Sequence, residues 1–123
     1  MVDWKVEFHP TFAGEHSELD EDVQDELAAM IKLLKVAGPA LKRPGSDTLN
    51  GSKHANMKEL RFKAADGVWR VAYAFDPERK AILLVAGDKS GGSETKFYKS
   101  LIKRADGRFD EHLAALEKAR RKK

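Results

Sequence analysis

Residues 57–87 contain three runs with the pattern of strands, each closed by turn residues, at roughly 57–63, 68–76 and 80–87. Asp66-Gly67 separates the first pair, as in a tight hairpin, and Asp76-Pro77-Glu78-Arg79 separates the second pair with proline at the second turn position. In the middle run Trp69, Val71, Tyr73 and Phe75 share one face, while Val68, Arg70, Ala72 and Ala74 share the other. The last run, "AILLVAG", is apolar on both sides, which predicts a central strand. A three-stranded antiparallel meander is therefore the framework that any fold of this chain must complete.

The flanks supply the covering elements. Val2, Trp4, Val6 and Phe8 alternate with Asp3, Lys5 and Glu7, predicting a strand over 2–8 that Pro10 ends. Ser17 then opens a helix whose first turns carry Glu18, Asp20, Glu21 and Asp22. Its packed stripe is Leu19, Val23, Leu27, Met30, Ile31 and Leu34, and Gly38-Pro39 stops it. The acids between Glu15 and Glu26 are accounted for by solvation of the outer face. Residues 42–56 are rich in turn residues. From about 94 to 120, Phe97, Leu101, Ala105, Phe109, Leu113 and Leu116 recur at helical spacing, with Gly107 expected to kink or split the helix. The order is β, α, meander, α. This predicts an α+β fold, with a small twisted, mainly antiparallel sheet flanked by helices, in a single domain over 1–123 with a frayed basic tail at 118–123. The connection after the first strand is long enough to set that strand beside a non-neighbour.

Composition narrows the chemistry. With no cysteine, the 123 residues offer no disulfide, thiol nucleophile or cysteine-ligated metal site. His9, His16, His54 and His112 form no H-x-x-x-H pair, so no metal site is expected. The glycines from Gly87 to Gly92 match neither a P-loop nor a dinucleotide fingerprint, and no G-x-S-x-G elbow exists. No apolar run is long enough to span a membrane, and a cytoplasmic location is expected. The net charge of +3 is unevenly spread: residues 1–41 hold nine acids against three bases, and residues 42–104 hold fourteen bases against seven acids. A basic face toward a polyanion is the expectation, with a mixed solvated surface as the alternative.

The bases of the meander and the following loop are the candidate site. Lys58 and Arg61 are an odd number of steps apart, so a regular strand turns them to opposite faces and only a bulge would join them. Arg61 shares its polar face with Glu59 and Lys63. Arg70, among small side chains, suits an open groove where its guanidinium fork meets phosphate; an internal ion pair with Glu59 is the competing reading. Lys89 follows the apolar strand at once, and Lys96, Tyr98 and Lys99 begin the last helix. His54, in the turn-rich stretch, is a candidate for acid–base help. Such a set suits RNA, whose own 2′-hydroxyl is the nucleophile. A protein need only align it, stabilise the pentavalent phosphate and assist the leaving oxygen, with a tyrosine or lysine of lowered pKa moving the proton.

The segments "MKELRF" at 57–62, "WRVAYAFDPERKAILLVAGDKSG" at 69–91 and "KFYKSLIKRADGRFDEHL" at 96–113 carry a family resemblance. A frame of Leu34, Gly38, Pro44 and Leu49 adds to it. The chain resembles the RelE/HigB-type toxins of bacterial and phage toxin–antitoxin systems, in the phage HigB-like subgroup, over about residues 2–118. The resemblance implies a small curved sheet with flanking helices, the RelE-like fold. It implies metal-independent cleavage of mRNA in the ribosomal A site, with no cofactor. The implied partners are the ribosome with its mRNA and a HigA-like helix-turn-helix antitoxin; the chain shows no recognition helix for sequence-specific DNA binding of its own. By position, Lys58 and Arg61 match basic residues of the family's second strand, and Arg70 matches the arginine used on the scissile phosphate. Lys89 matches the basic residue after the last strand, and Tyr98 the late tyrosine near the attacking hydroxyl. Lys63, Lys96 and Lys99 are the expected further phosphate contacts. The chain departs from the family in lacking the late histidine of some HigB proteins and the more basic loop of the strongest RelE-like nucleases. A non-catalytic RNA- or ribosome-binding module, or an inactive toxin-like subunit, is the alternative.

Overall fold

The computed structural model describes residues 3–122. The elements are β1 (Lys5–Phe8), α1 (Pro10–Ser17), α2 (Glu21–Ala37), β2 (Ser46–Thr48), β3 (Lys58–Ala64), β4 (Gly67–Phe75), β5 (Lys80–Asp88) and α3 (Glu94–Arg121). The five strands form one sheet in the order β1-β5-β4-β3-β2. The meander β3-β4-β5 is antiparallel as expected. β1 crosses over to lie parallel to β5, with Lys5 opposite Lys80 and Phe8 opposite Leu83. Val2 lies outside the described residues, as does Lys123.

The sheet has a helix layer on each face, and β4 and β5 serve both. Leu60, Phe62, Val71, Tyr73 and Leu83 pack against Val23, Leu27, Met30 and Leu34 of α2 and Phe12 of α1. Ala72, Ala74, Ile82, Leu84 and Val85 pack on the other face against Leu101, Ala105 and Phe109 of α3. Burying both faces explains why "AILLVAG" does not alternate. A register shift between Ala72 and Tyr73 moves the pairing from Val85 to Leu83 and lets β5 present residues to both helix layers.

Several local expectations are corrected. The helix predicted from Ser17 begins four residues later, at Glu21, and an unpredicted helix precedes it. Pro10 ends the strand but also begins α1, whose N-cap is His9, with its Nδ1 accepting from Thr11 N–H at 3.1 Å. Ser17 is the last residue of α1, and Asp20 caps α2. Glu15 of α1 makes a two-oxygen ion pair with Arg108 of α3, 2.7 Å on each side, holding the short helix against the long one. Such a long-range tie is invisible in a periodicity. Gly107 neither kinks nor splits α3, which runs unbroken through the supposedly frayed basic tail to Arg121. The turn-rich stretch 42–56 contains a short strand, β2, that extends the sheet beyond β3. The first hairpin turns on Ala65 and Asp66 (φ 49° and 62°), one residue earlier than expected. Gly67 already belongs to β4, where a Cβ would lie 2.7 Å from the Asp88 carboxylate.

His9 is buried, and desolvation holds its imidazole below its ordinary value of 6.5 despite Glu111 Oε1 at 3.0 Å. His16 is shifted the same way by burial. The unfolded chain therefore takes up these protons at higher pH than the folded one, and stability present above about pH 6.5 is lost as pH falls through that value. The urea midpoint is expected to drop between about pH 7.5 and about pH 5.5. His9→Asn, which keeps a capping side chain, should flatten the drop; an equal drop in the variant would remove His9 from the explanation.

Candidate functional site

β3, β4 and β5 pair in rows that lie on the α3 face. Glu59 is opposite Ala72, Arg61 opposite Arg70, and Lys63 opposite Val68; across β4, Arg70 is opposite Gly87 and Ala72 opposite Val85. Two arginines directly across a strand pair repel one another. Glu59, 4% exposed, lies one row below and resolves the conflict. Its Oε2 accepts from Arg61 Nη1 at 2.8 Å, and its Oε1 lies 3.8 Å from Arg70 Nε. The same Oε1 accepts from the Tyr98 hydroxyl at 2.9 Å, and that hydroxyl in turn accepts from Arg70 Nε at 3.2 Å. The hydrogen bonds run in one direction, guanidinium to phenol to carboxylate, so each polarises the next. Arg70 also donates through Nη1 to the Trp69 carbonyl at 2.9 Å.

Tyr98 reaches this network because its neighbours are small. Ala72 leaves room beneath it, and a Cβ at Gly87 would lie 2.8 Å from the ring of Phe97, the adjacent residue on α3. Burial pushes the Tyr98 hydroxyl above its ordinary value, and the Glu59 acceptor adds to the shift. Tyr98 is thus a protonated phenol that donates. The lowered value expected of a proton-accepting tyrosine is not found here.

Lys89 continues the row of Lys63 and Val68, fixed by its backbone N–H to the Val68 carbonyl at 2.7 Å. Its ammonium lies 5.9 Å from the Tyr98 ring centre and 3.0 Å from Glu94 Oε1. Glu94 opens α3 and is held below the usual carboxylate range by Lys89 first, with Arg70 and Arg61 contributing. Beside this cluster, Arg43, Arg61, Lys63 and Arg70 border an open hollow of about 220 Å³. The arrangement can hold an anion against several cations, and Arg61 and Arg70 link that hollow to the Glu59 carboxylate and the Tyr98 phenol behind it.

The structure brings Arg61, Arg70, Lys89, Tyr98 and Lys63 together. It does not bring the other candidates there. β3 runs without a bulge against β4, so Lys58 projects from the opposite face, in register with Tyr73, and borders a separate hollow near Leu41 and Thr48. Lys96 and Lys99 are exposed on the solvent side of α3, rotated well away from Tyr98. His54 packs edge-on against Phe109, 4.9 Å between ring centres, with Nε2 2.8 Å from Asp110 Oδ1. Asp110 is about 18 Å further along the helix than Tyr98, so His54 anchors the 49–56 loop to α3 and is remote from the cluster. For Arg70, the reading as an internal partner of Glu59 describes its contacts. Sequence reasoning under-rated Glu59, although its parity with Arg61 was the available signal, and missed Arg43 and Glu94. Arg43 arrives through the unrecognised β2 and had no signal. Among the described residues no group of side chains is arranged to hold a metal ion, and no helix is long and apolar enough to cross a membrane.

Comparison with known proteins gives the chain a family and a fold. The family described as "Phage derived protein Gp49-like" matches residues 15–110. The chain belongs to that family. Two Mycobacterium tuberculosis relatives are named as HigB toxins. HigB2 is 44% identical over 106 residues, 85% of this chain and 52% of its own length. HigB3 is 42% identical over 97 residues, 79% of this chain and 82% of its own length. The chain thus spans about half the length of HigB2. Among solved structures, the free state of an Escherichia coli RelE toxin variant, with two arginines changed to alanine, matches with a TM-score of 0.58 at 14% identity. That match covers 81% of this chain and 94% of RelE, and shows the fold. The Gp49-like chain therefore has the α+β, RelE-like architecture expected from its sequence.

Glu59→Ala leaves two guanidiniums facing each other without their carboxylate and is expected to cost about 3 kcal/mol. Tyr98→Phe removes one bridging hydroxyl and should cost about 1 kcal/mol. Gly87→Ala should cost about 1–3 kcal/mol by displacing Phe97. Urea unfolding followed by tryptophan fluorescence measures all three; a Glu59→Ala midpoint equal to that of the parent would show that the carboxylate does not hold the arginines.

Proposed function

We propose that this Gp49-like chain is the toxin of a type II toxin–antitoxin pair, one domain over 1–123, acting as a ribosome-dependent endoribonuclease without a metal or cofactor. The observation that carries the reading is Arg70, which lines the open hollow with Arg61 and Lys63 and also hydrogen-bonds Tyr98, over whose ring the Lys89 ammonium stands. In this reading an mRNA phosphate in the ribosomal A site settles against Arg61 and Lys89, which are more exposed than Arg70. Arg70 and Glu59 set the position of the Tyr98 hydroxyl. The 2′-oxygen attacks the adjacent phosphorus and the bond to the 5′-oxygen breaks, leaving a 2′,3′-cyclic phosphate and a 5′-hydroxyl. The Tyr98 hydroxyl takes the proton of the attacking 2′-hydroxyl as it passes its own to Glu59, and the Lys89 ammonium gives one to the leaving oxygen. The cations stabilise the extra negative charge of the pentavalent phosphate. A HigA-like antitoxin silences the activity, and both act in the cytoplasm.

A second reading, a toxin-like subunit that binds RNA without cleaving it, is favoured by one observation. Glu59 and Glu94 already occupy Arg61, Arg70 and Lys89. Primer extension on translated mRNA separates the two. Cuts within codons are expected with the parent chain, slowed about a hundredfold or more by Arg61→Ala or Lys89→Ala. Salt-sensitive RNA binding with no cuts in any translation system would establish the second reading instead.

A further inference from the structure

The large apolar side chains exposed among the described residues are Leu33, at 52%, and Val36, at 75%, and both are on α2. Three residues apart, they share one helical face. Ala29, Glu26, Asp25 and Asp22 continue the same exposed face toward the N-terminus, making a stripe about 20 Å long. One half is acidic and the other apolar, with the exposed Lys32 and Lys35 flanking the apolar half. Solvation accounts for the acids alone but not for two large aliphatic side chains in line with them. Neighbouring acids are engaged within the fold, Glu7 by Lys80 and Glu15 by Arg108. Asp22, Asp25 and Glu26 make no such pair among the described residues. α2 buries Val23, Leu27, Met30 and Leu34 on the sheet face bearing Phe62 and Tyr73, which is the reverse of the face bearing Arg61 and Arg70.

We infer that this stripe seats a cationic amphipathic helix of a partner protein. Its apolar residues cover Leu33 and Val36, and its lysines or arginines meet Asp22, Asp25 and Glu26. RNA is excluded as the occupant by the sign of the charge. A second copy of the chain pairs acids with acids when the stripes run parallel, and only the small Leu33–Val36 patch when a two-fold axis passes through it. A partner on this face lies across the sheet from the hollow and leaves it open. The toxin–antitoxin reading enters only as the source of the partner, the product of the neighbouring open reading frame.

The test is calorimetric titration of the full chain with that product. Leu33→Ser/Val36→Ser should weaken binding at least about tenfold. Asp22→Lys/Asp25→Lys/Glu26→Lys should do the same and reduce its salt dependence. Lys63→Glu, in the hollow, should leave the affinity unchanged. Circular dichroism and urea midpoints check that each variant is folded. The complex should also bind a short single-stranded RNA as tightly as the chain alone. The inference is overturned if Lys63→Glu weakens the complex while the α2 variants do not, because the partner then covers the hollow. It is equally overturned if no complex forms, or if the chain alone sediments as a dimer that the α2 variants dissociate. Absence of RNA cleavage would sink the nuclease reading and leave the calorimetric result standing.

Discussion

A carboxylate buried beside two arginines governs this molecule. The β3–β4 register sets Arg61 opposite Arg70, an arrangement the sheet would resist without an anion in the next row. Glu59 supplies that anion from a position that small side chains leave roomy. Gly87 is part of the same device, because a side chain there would meet the Phe97 ring and push α3 away from the sheet. The packing of the long helix and the grouping of the cations are therefore one problem with one solution. Taking charges out of water is costly, and here the cost is offset only because every partner is held in place. Among the described residues no buried side-chain nitrogen or oxygen lacks a hydrogen-bond partner.

The uneven charge along the chain becomes a division in space. The acidic N-terminal third builds α1 and α2, and α2 covers the sheet face that carries Leu60 and Phe62. The basic stretch 42–104 builds β2, β3, β4, β5 and the start of α3, and exposes Arg61 and Lys63 on the other face or at its edge, with Lys58 the exception on the α2 side. A five-stranded sheet lies between the two potentials. Polyanions and polycations would thus approach the Gp49-like chain from different sides, and neither competes directly for the ground of the other.

The meander was legible because its strands are long, local in pairing and bounded by turns. Arg61 and Arg70 could be chosen because strand parity is a two-residue rule that survives without tertiary knowledge, and Lys89 because it follows the apolar strand at once. Lys58 shows the same rule from its other side: its parity already pointed away from Arg61, and only the family resemblance kept it in the set. His54 failed for a different reason, since a loop residue carries no parity and its partner Asp110 is far away in sequence. The short helix α1 was hidden because Phe12 is its one buried residue, too little to make a periodicity. Glu59 was visible as a charge but not as a buried one. Its environment depends on Ala72 and Tyr98, brought together from two other elements.

β1 pairs in parallel with β5 across a separation of 75 residues, Lys5 against Lys80. During synthesis the first strand leaves the ribosome with no partner, and it waits until nearly two-thirds of the chain has followed. The helix that carries Tyr98 emerges later still. Folding dominated by such distant pairings is slow. The corner that holds Glu59, Arg70 and Tyr98 is therefore completed only once α3 has followed all five strands.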